Sequence, residues 1–139
     1  MNKTIIGKCE YISFPKLNIK NIEAKIDTGA FTTALHCHDI VEKTINTKKI
    51  LSFKLLDANH PEFSNTEHIF EDYELTTIKN SFGESEERYV IKTLVKIGNR
   101  NILAKVSLTN RGKMRFPVLL GRRILKNRFI VDVSKEFSL

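Results

Sequence analysis

The stretch Ala24-Lys25-Ile26-Asp27-Thr28-Gly29-Ala30 narrows the fold more than any other part of the sequence. Apolar and polar residues alternate up to Ile26, a pattern that predicts a β-strand with one buried face. The strand leads a single carboxylate, Asp27, into a turn in which Gly29 permits close backbone approach. Thr28 supplies a hydroxyl that can anchor the turn, and Ala30 keeps it narrow. The stretch therefore predicts a carboxylate fixed at the end of a rigid strand.

A second apolar run, Pro117-Val118-Leu119-Leu120-Gly121-Arg122, also ends on glycine, 94 residues after Asp27 (121 − 27). Hydrolysis of an amide by carboxyl groups requires two of them about 3 Å apart, sharing one proton. The sequence has one Asp-Thr-Gly triplet, and Asp132 lacks a following glycine. We therefore predict an aspartic peptidase that obtains its second Asp27 from a twofold-symmetric homodimer.

Short alternating runs separated by turn residues predict an all-β fold, a small barrel or sandwich formed by one domain over residues 1–139. One or two helical turns are expected after Gly121. The predicted strands are Glu10–Phe14, Asn21–Ile26, Thr33–Cys37, Lys49–Leu56, Arg88–Ile97, Ile102–Leu108 and Phe129–Val133.

The segment 57–87 is polar and shows no clear strand pattern. A long polar insertion in a small domain is usually functional or mobile. A flap or lid over a groove and an ordinary surface excursion both remain open for it.

The composition is that of a globular chain, with 41% hydrophobic residues and 28% charged residues. The formal net charge of +7 attracts anions. Because the basic residues are dispersed, we expect an acidic peptide partner and no nucleic acid. No apolar stretch is long enough for a membrane span, and the N-terminus does not resemble a secretory signal, so we expect a cytoplasmic protein. Cys9 and Cys37 are expected to be free thiols.

The motif runs 24–36 and 107–122, with the closing run 129–134, resemble the bacterial RimB-like peptidases, which are retropepsin-like proteins associated with RimK-type ATP-grasp ligases. The resemblance implies a single-lobe retropepsin-like barrel with at most one short helix near the C-terminus. It also implies a substrate class, the glutamate-type peptide extensions that the partner ligase adds. Viral retropepsins usually carry an acidic residue where this chain has Phe31, so Arg122 needs another partner here or faces substrate.

The site residues expected from this resemblance and from the motifs fall into two groups. Asp27, Thr28 and Gly29 form the catalytic turn. Ala30, Arg88, Arg111 and Arg122 are expected to contact substrate, because arginine holds carboxylates bidentately.

Two other functions stay open. One is a non-catalytic module that binds acidic peptides on the same barrel. The other is a zinc-dependent hydrolase, since Cys9, His36, Cys37 and His38 are residue types that bind zinc. Members of the resembling family have been labelled ATP-dependent zinc proteases, but the sequence has no phosphate-binding glycine loop and no His-Glu-x-x-His motif, so we expect no metal and no cofactor.

Overall fold

The computed structural model describes residues 2–56, 65–79, 82–110 and 115–139. These residues contain one short α-helix, α1 (Arg122–Leu125), and a 3-10 turn at Pro15–Leu17. The strands are β1 (Thr4–Ile6), β2 (Cys9–Phe14), β3 (Ile19–Ile26), β4 (Thr33–Ile45), β5 (Lys48–Leu55), β6 (Glu67–Phe70), β7 (Glu74–Lys79), β8 (Ser85–Ile97), β9 (Arg100–Thr109), β10 (Val118–Leu120) and β11 (Phe129–Val131). The predicted all-β fold with one short helix near the C-terminus is confirmed.

Six strands close into a barrel in the order β10, β3, β2, β8, β9, β4, because β10 pairs with both β3 and β4. β5 and β6 extend the sheet outward from β4. The first half of β8 leaves the barrel to pair with β7, from Glu74 opposite Val90 to Lys79 opposite Ser85. β1 and β11 form a separate parallel pair. The barrel thus carries two projecting hairpins, β4–β5 and β7–β8.

The predicted strand pattern is largely confirmed inside the barrel. The predicted strands at 88–97 and 102–108 correspond to β8 and β9, which form a hairpin. Gly98 at its turn has a φ of 57°, a left-handed conformation that favours glycine. The helical turn expected after Gly121 is α1, and its Ile124 and Leu125 side chains are buried.

The segment 57–87 differs from its sequence-based description in the part that the structure describes. It contains β6, β7 and the first residues of β8, although their sequences show no clear strand pattern. Pairing with β5 and with β8 defines these strands, so tertiary neighbours replace the missing alternation. Residues 57–64, 80 and 81 lie outside the described residues.

The core consists of buried aliphatic and aromatic side chains from the barrel strands and from elements packed against them, including β5 and α1. Its largest fully buried members include Phe14, Phe53, Leu35, Leu51 and Leu120. The strand ends that carry Asp27 and Gly121 rest directly on this core, which makes their positions rigid. No helix in the described part of the chain is long and apolar enough to cross a membrane.

Candidate active site

Asp27 and Gly121 are brought together by the parallel pairing of β3 with β10. Leu120 lies opposite Ile26 in this register, so the residues that follow each strand are neighbours. The Asp27 amide donates to the Leu120 carbonyl over 2.9 Å. The two motifs that lie 94 residues apart in the sequence therefore form one structure at one end of the barrel.

The turn after β3 is closed by the Asp27 side chain itself. The Gly29 amide donates to Asp27 Oδ1 over 2.9 Å, and the Ala30 amide donates to the Asp27 carbonyl over 3.2 Å. Ile22 and Ile26 are buried behind the turn, as predicted. These bonds orient the carboxylate, since one oxygen is held by the backbone and the other is left for external groups.

Gly121 allows the chain to pass through a gap that no side chain would fit. A Cβ atom on it would lie 2.9 Å from the Phe31 carbonyl oxygen and 3.0 Å from the Ala30 carbonyl oxygen. The Gly121 amide donates to the buried Thr33 hydroxyl over 3.0 Å, and the Arg122 amide donates to the Ala30 carbonyl over 2.8 Å. The close contact thus fixes residues 27–33 against residues 120–123.

Thr33, rather than Thr28, supplies the hydroxyl that holds the two motifs together within one chain. Thr28 is exposed, and within the described residues its hydroxyl makes no hydrogen bond, while its carbonyl accepts from Arg122 Nη1 over 3.0 Å. Sequence reasoning placed Thr33 in a strand and gave it no role, because the position of its partner Gly121 depends on the tertiary fold.

A cavity of about 710 Å³ opens above the Asp27 turn. One wall is the turn with α1, and the opposite wall is the β7–β8 hairpin. From the turn and α1 it is lined by Asp27, Gly29, Ala30, Phe31, Thr32, Arg122 and Arg123; from the hairpin by Glu74, Thr76, Thr77, Ile78, Lys79, Arg88 and Val90; and from neighbouring barrel strands by Ala34, Lys105 and Leu119.

Two of the five basic side chains that line this cavity are neutralised by carboxylates. Arg88 is 8% exposed and is bound by Glu86, two residues earlier on the same face of β8. Lys105 forms a 2.6 Å ion pair with Glu74, and this contact lowers the pKa of the Glu74 carboxyl, with a smaller contribution from Arg123. Arg88 and Lys105 are therefore less available to an anionic ligand than the other three cations.

Arg122 and Arg123 share one aromatic neighbour. Their guanidinium carbons lie 5.7 Å and 5.3 Å from the centre of the Phe31 ring, which is 58% exposed. Such distances allow cation–π attraction. None of the ion pairs found among the described residues involves either arginine. The Phe31 ring is thus the neighbour that Arg122 and Arg123 have in common.

The described residues contain other carboxylates that are buried or close to the motifs, but each is engaged locally. Glu10 is fully buried and accepts from the amides of Gly7, Ser138 and Leu139. Asp132 accepts from the hydroxyl and the amide of Ser134, and these bonds lower its pKa. Within the described residues, the only carboxylate besides Asp27 that lines the cavity is Glu74, which is paired with Lys105.

The possible zinc ligands are dispersed. Cys37 is fully buried and its pKa is raised by desolvation, so it resists forming the thiolate that binds metals. His36 is buried in β4, and His38 Nδ1 contacts the Leu56 carbonyl. No group of three or more His, Cys, Asp or Glu side chains converges within the described residues.

The cavity contains most of the side chains that the sequence singled out. Asp27, Gly29, Ala30, Arg88 and Arg122 line it, whereas Thr28 lies at its edge without lining it. Arg111 lies outside the described residues. Sequence reasoning missed Arg123, Lys79 and Lys105 as cavity residues. The pair Arg122-Arg123 was visible in the sequence, but only the position of the Phe31 ring shows that both reach the cavity.

Comparison with known proteins gives a family match over nearly the whole chain. A family model described as RimB-like, retropepsin-like aspartic endopeptidase RimB, matches residues 5–139. A crystal structure of a protein of unknown function from Legionella pneumophila superimposes with a TM-score of 0.75 at 28% identity, covering 99% of this chain and 98% of that one.

Similar curated proteins carry a different name. A "Probable alpha-L-glutamate ligase" of Shewanella pealeana is 35% identical over 142 residues, and one of Desulfotalea psychrophila is 34% identical over 139 residues. Each match covers 99% of this chain and 30% of the relative. The chain thus spans about a third of the length of the curated relatives it matches.

Proposed function

Since the chain belongs to the RimB-like family of retropepsin-like aspartic endopeptidases, we propose that it hydrolyses peptide bonds with the Asp27 carboxyl groups of two copies. The observation that carries the proposal is the placement of Asp27. Its carboxylate lies at the floor of the cavity, oriented by the Gly29 amide and fixed by the pairing of β3 with β10. The second carboxyl group comes from a homodimer, because Glu74 is already paired with Lys105.

The reaction follows from two such carboxyl groups held about 3 Å apart. Like charges at that distance disfavour double ionisation, so the pair holds one proton. The ionised carboxyl takes a proton from water as the water oxygen attacks the scissile carbonyl carbon, and the protonated carboxyl donates to the carbonyl oxygen. The carboxyl that gained the water proton then donates it to the leaving nitrogen, while the other carboxyl takes a proton from a hydroxyl of the tetrahedral intermediate. The C–N bond breaks, and the pair again holds one proton.

The substrate that we propose is an acidic peptide extension of the glutamate type, added by an ATP-grasp ligase in the cytoplasm. The names of the relatives support this choice, since a glutamate ligase makes bonds of the class that this cavity would cut. Arg122, Arg123 and Lys79 support it independently, because each is a cation on the cavity wall. We further propose that residues 1–139 act as one peptidase domain whose β7–β8 hairpin serves as the flap.

The test is cleavage of a glutamate-tailed peptide by the purified protein, compared with Asp27→Asn. This isosteric change removes the titratable group but keeps an oxygen for the Gly29 amide, so we expect folding to be retained and hydrolysis to be lost by a factor of at least about 10³. Circular dichroism and thermal unfolding check the fold. Undiminished cleavage by the variant, or cleavage that a chelator abolishes, would contradict the mechanism.

A peptide-binding module without catalysis is the second candidate, and the cationic cavity wall favours it. It predicts that the wild-type chain binds the glutamate-tailed peptide and leaves it intact at every protein concentration. A dimeric peptidase predicts instead that specific activity rises with protein concentration until the dimer saturates. Titration of the protein against a fixed amount of peptide separates the two functions.

A further inference from the structure

We propose that Phe31, Arg122 and Arg123 form a carboxylate-binding subsite, here called the arginine clamp, which makes the active-site cavity selective for acidic side chains. The inference rests on the proposed function, because it assigns the recognition of substrate to particular residues. It adds Arg123 and Phe31 to the residues that the sequence led us to expect in contact with substrate.

The positive charges of the cavity wall are only partly neutralised by neighbouring carboxylates. Glu86 forms an ion pair with the Arg88 guanidinium, and Glu74 forms one with the Lys105 ammonium group. Arg123 lies close enough to Glu74 to contribute to its lowered pKa, but Glu74 is bonded to Lys105. This part of the cavity therefore keeps two positive charges, those of the two arginines of α1, that Glu74 and Glu86 do not neutralise.

An aromatic ring beside an arginine leaves the N–H donors of that arginine unused, whereas a carboxylate in the same place would bind them. An acidic partner would neutralise an arginine and occupy its N–H donors. The Phe31 ring attracts both guanidinium groups through its quadrupole and accepts none of their conventional hydrogen bonds. Arg122 uses one Nη1–H on the Thr28 carbonyl, which orients its side chain. The remaining donors and both positive charges stay available to a ligand.

Arg122 and Arg123 carry like charges and lie close to the same Phe31 ring. Two guanidinium groups that share one ring repel each other, and solvent screens that repulsion only partly once a ligand fills the cavity. A carboxylate bound between them relieves the repulsion and accepts N–H groups from both. An amide of the same shape relieves nothing, so the clamp distinguishes glutamate from glutamine by charge.

The test uses the Asp27→Asn chain, in which cleavage does not interfere, and fluorescence anisotropy of a labelled peptide that ends in a short run of glutamates. The comparison peptide ends in glutamines. Arg123→Gln should weaken binding of the glutamate peptide about tenfold, because one charged hydrogen-bond donor is lost. Binding of the glutamine peptide should stay unchanged. The difference between the peptides should shrink at high salt.

Three further variants test whether the effect is specific to the arginine clamp. Phe31→Glu leaves both arginines in place but supplies an internal carboxylate, so it should weaken the glutamate peptide at least as much as Arg123→Gln, whereas the neutral Phe31→Gln should do less. Lys126→Gln removes an exposed positive charge from the C-cap residue that follows α1, outside the cavity lining, and should change binding by less than about twofold.

The outcomes separate this inference from the proposed function. Equal effects of Arg123→Gln and Lys126→Gln, or tight binding of the glutamate peptide by Phe31→Glu, would overturn the clamp whether or not the protein is a peptidase. Selective binding by an otherwise wild-type chain that cleaves nothing would retain the clamp and overturn the peptidase.

Discussion

Two turns of this molecule differ in whether they contain the glycine that their geometry favours. At the Asp27 turn, Gly121 lies where a Cβ atom would come within about 3 Å of backbone atoms of Phe31 and Thr32. At the tip of the β4–β5 hairpin, Asn46 and Thr47 both have positive φ, 50° and 67°, which glycine would adopt without strain. The first turn has the glycine it requires, and the second has a β-branched residue where glycine would fit better.

The difference reflects what each turn is packed against. The Asp27 turn is held by backbone hydrogen bonds to a segment 94 residues away and rests on the core. The hairpin tip is exposed, as are residues 41–49 around it. The first turn fixes the position of a carboxylate, whereas the second turn joins two strands. The backbone hydrogen bonds and the core contacts therefore support the turn whose carboxylate must be held rigidly for the proposed chemistry.

The largest effect that this comparison predicts is that of Gly121→Ala. The added methyl group meets carbonyl groups of residues 30–32, so the two motifs must separate. We expect a loss of about 3 kcal/mol in the free energy of unfolding, measured by urea titration, together with loss of activity.

Gly83→Ala is the matched control for Gly121→Ala. Gly83 also resists substitution, with a φ of 78°, but a Cβ atom there would meet nothing within 4 Å. Strain alone should cost about 1 kcal/mol. If both variants lost the same stability, close packing at Gly121 would not be the cause.

A second, smaller effect is expected from Thr33→Val, which keeps the shape of the side chain and removes the hydroxyl. The Gly121 amide then loses its buried acceptor, and a buried unsatisfied donor costs about 2 kcal/mol. Thr93→Val provides the contrast, because the buried Thr93 hydroxyl has no hydrogen-bond partner within the described residues. That variant should be neutral or more stable, and equal losses at both positions would exclude the Gly121 contact as the reason.

The Asp27 turn was also the region that the sequence predicted best. Alternation in β3, the apolar run of β10 and a glycine after each are local signals, and both runs contribute to the core. When β3 and β10 pair side by side, the apolar side chains of both strands can be buried in the core. The catalytic roles of Asp27, Thr28 and Gly29 remain predictions that the proposed experiments test.

The hairpins were predicted less well, for a physical reason. Residues 41–47 of the β4–β5 hairpin and strands β6 and β7 are mostly exposed on both faces, so no apolar alternation marks them. Their strand state comes from pairing with neighbours. Arg88 illustrates a different limit. Its role in substrate binding stays a prediction, but the sequence did not show that the strand places it on the same face as Glu86, which forms an ion pair with it.

The smallest predicted effect is a gain in stability, opposite in sign to the effect of Gly121→Ala. It comes from a substitution at the tip of the β4–β5 hairpin. Thr47→Gly should stabilise the protein by about 0.5–1 kcal/mol, because relief of the left-handed strain outweighs the greater freedom of glycine in the unfolded chain. The loss of the 2.5 Å contact from the Thr47 hydroxyl to the Asn46 carbonyl is minor at an exposed site. Asn-Gly is moreover the sequence that two-residue hairpin turns favour.

Thr44→Gly provides the comparison for this last change, since it makes the same substitution in the same exposed hairpin, at a strand position paired with Lys49. Glycine there only weakens the strand, so we expect a loss of about 0.5–1 kcal/mol, opposite in sign to Thr47→Gly. Urea unfolding of both variants measures the difference. If Thr47→Gly also destabilised the protein, the turn would tolerate its threonine without strain, and the contrast with Gly121 would rest on packing alone. Activity should be unchanged in both variants, because the hairpin tip contributes no residue to the cavity lining.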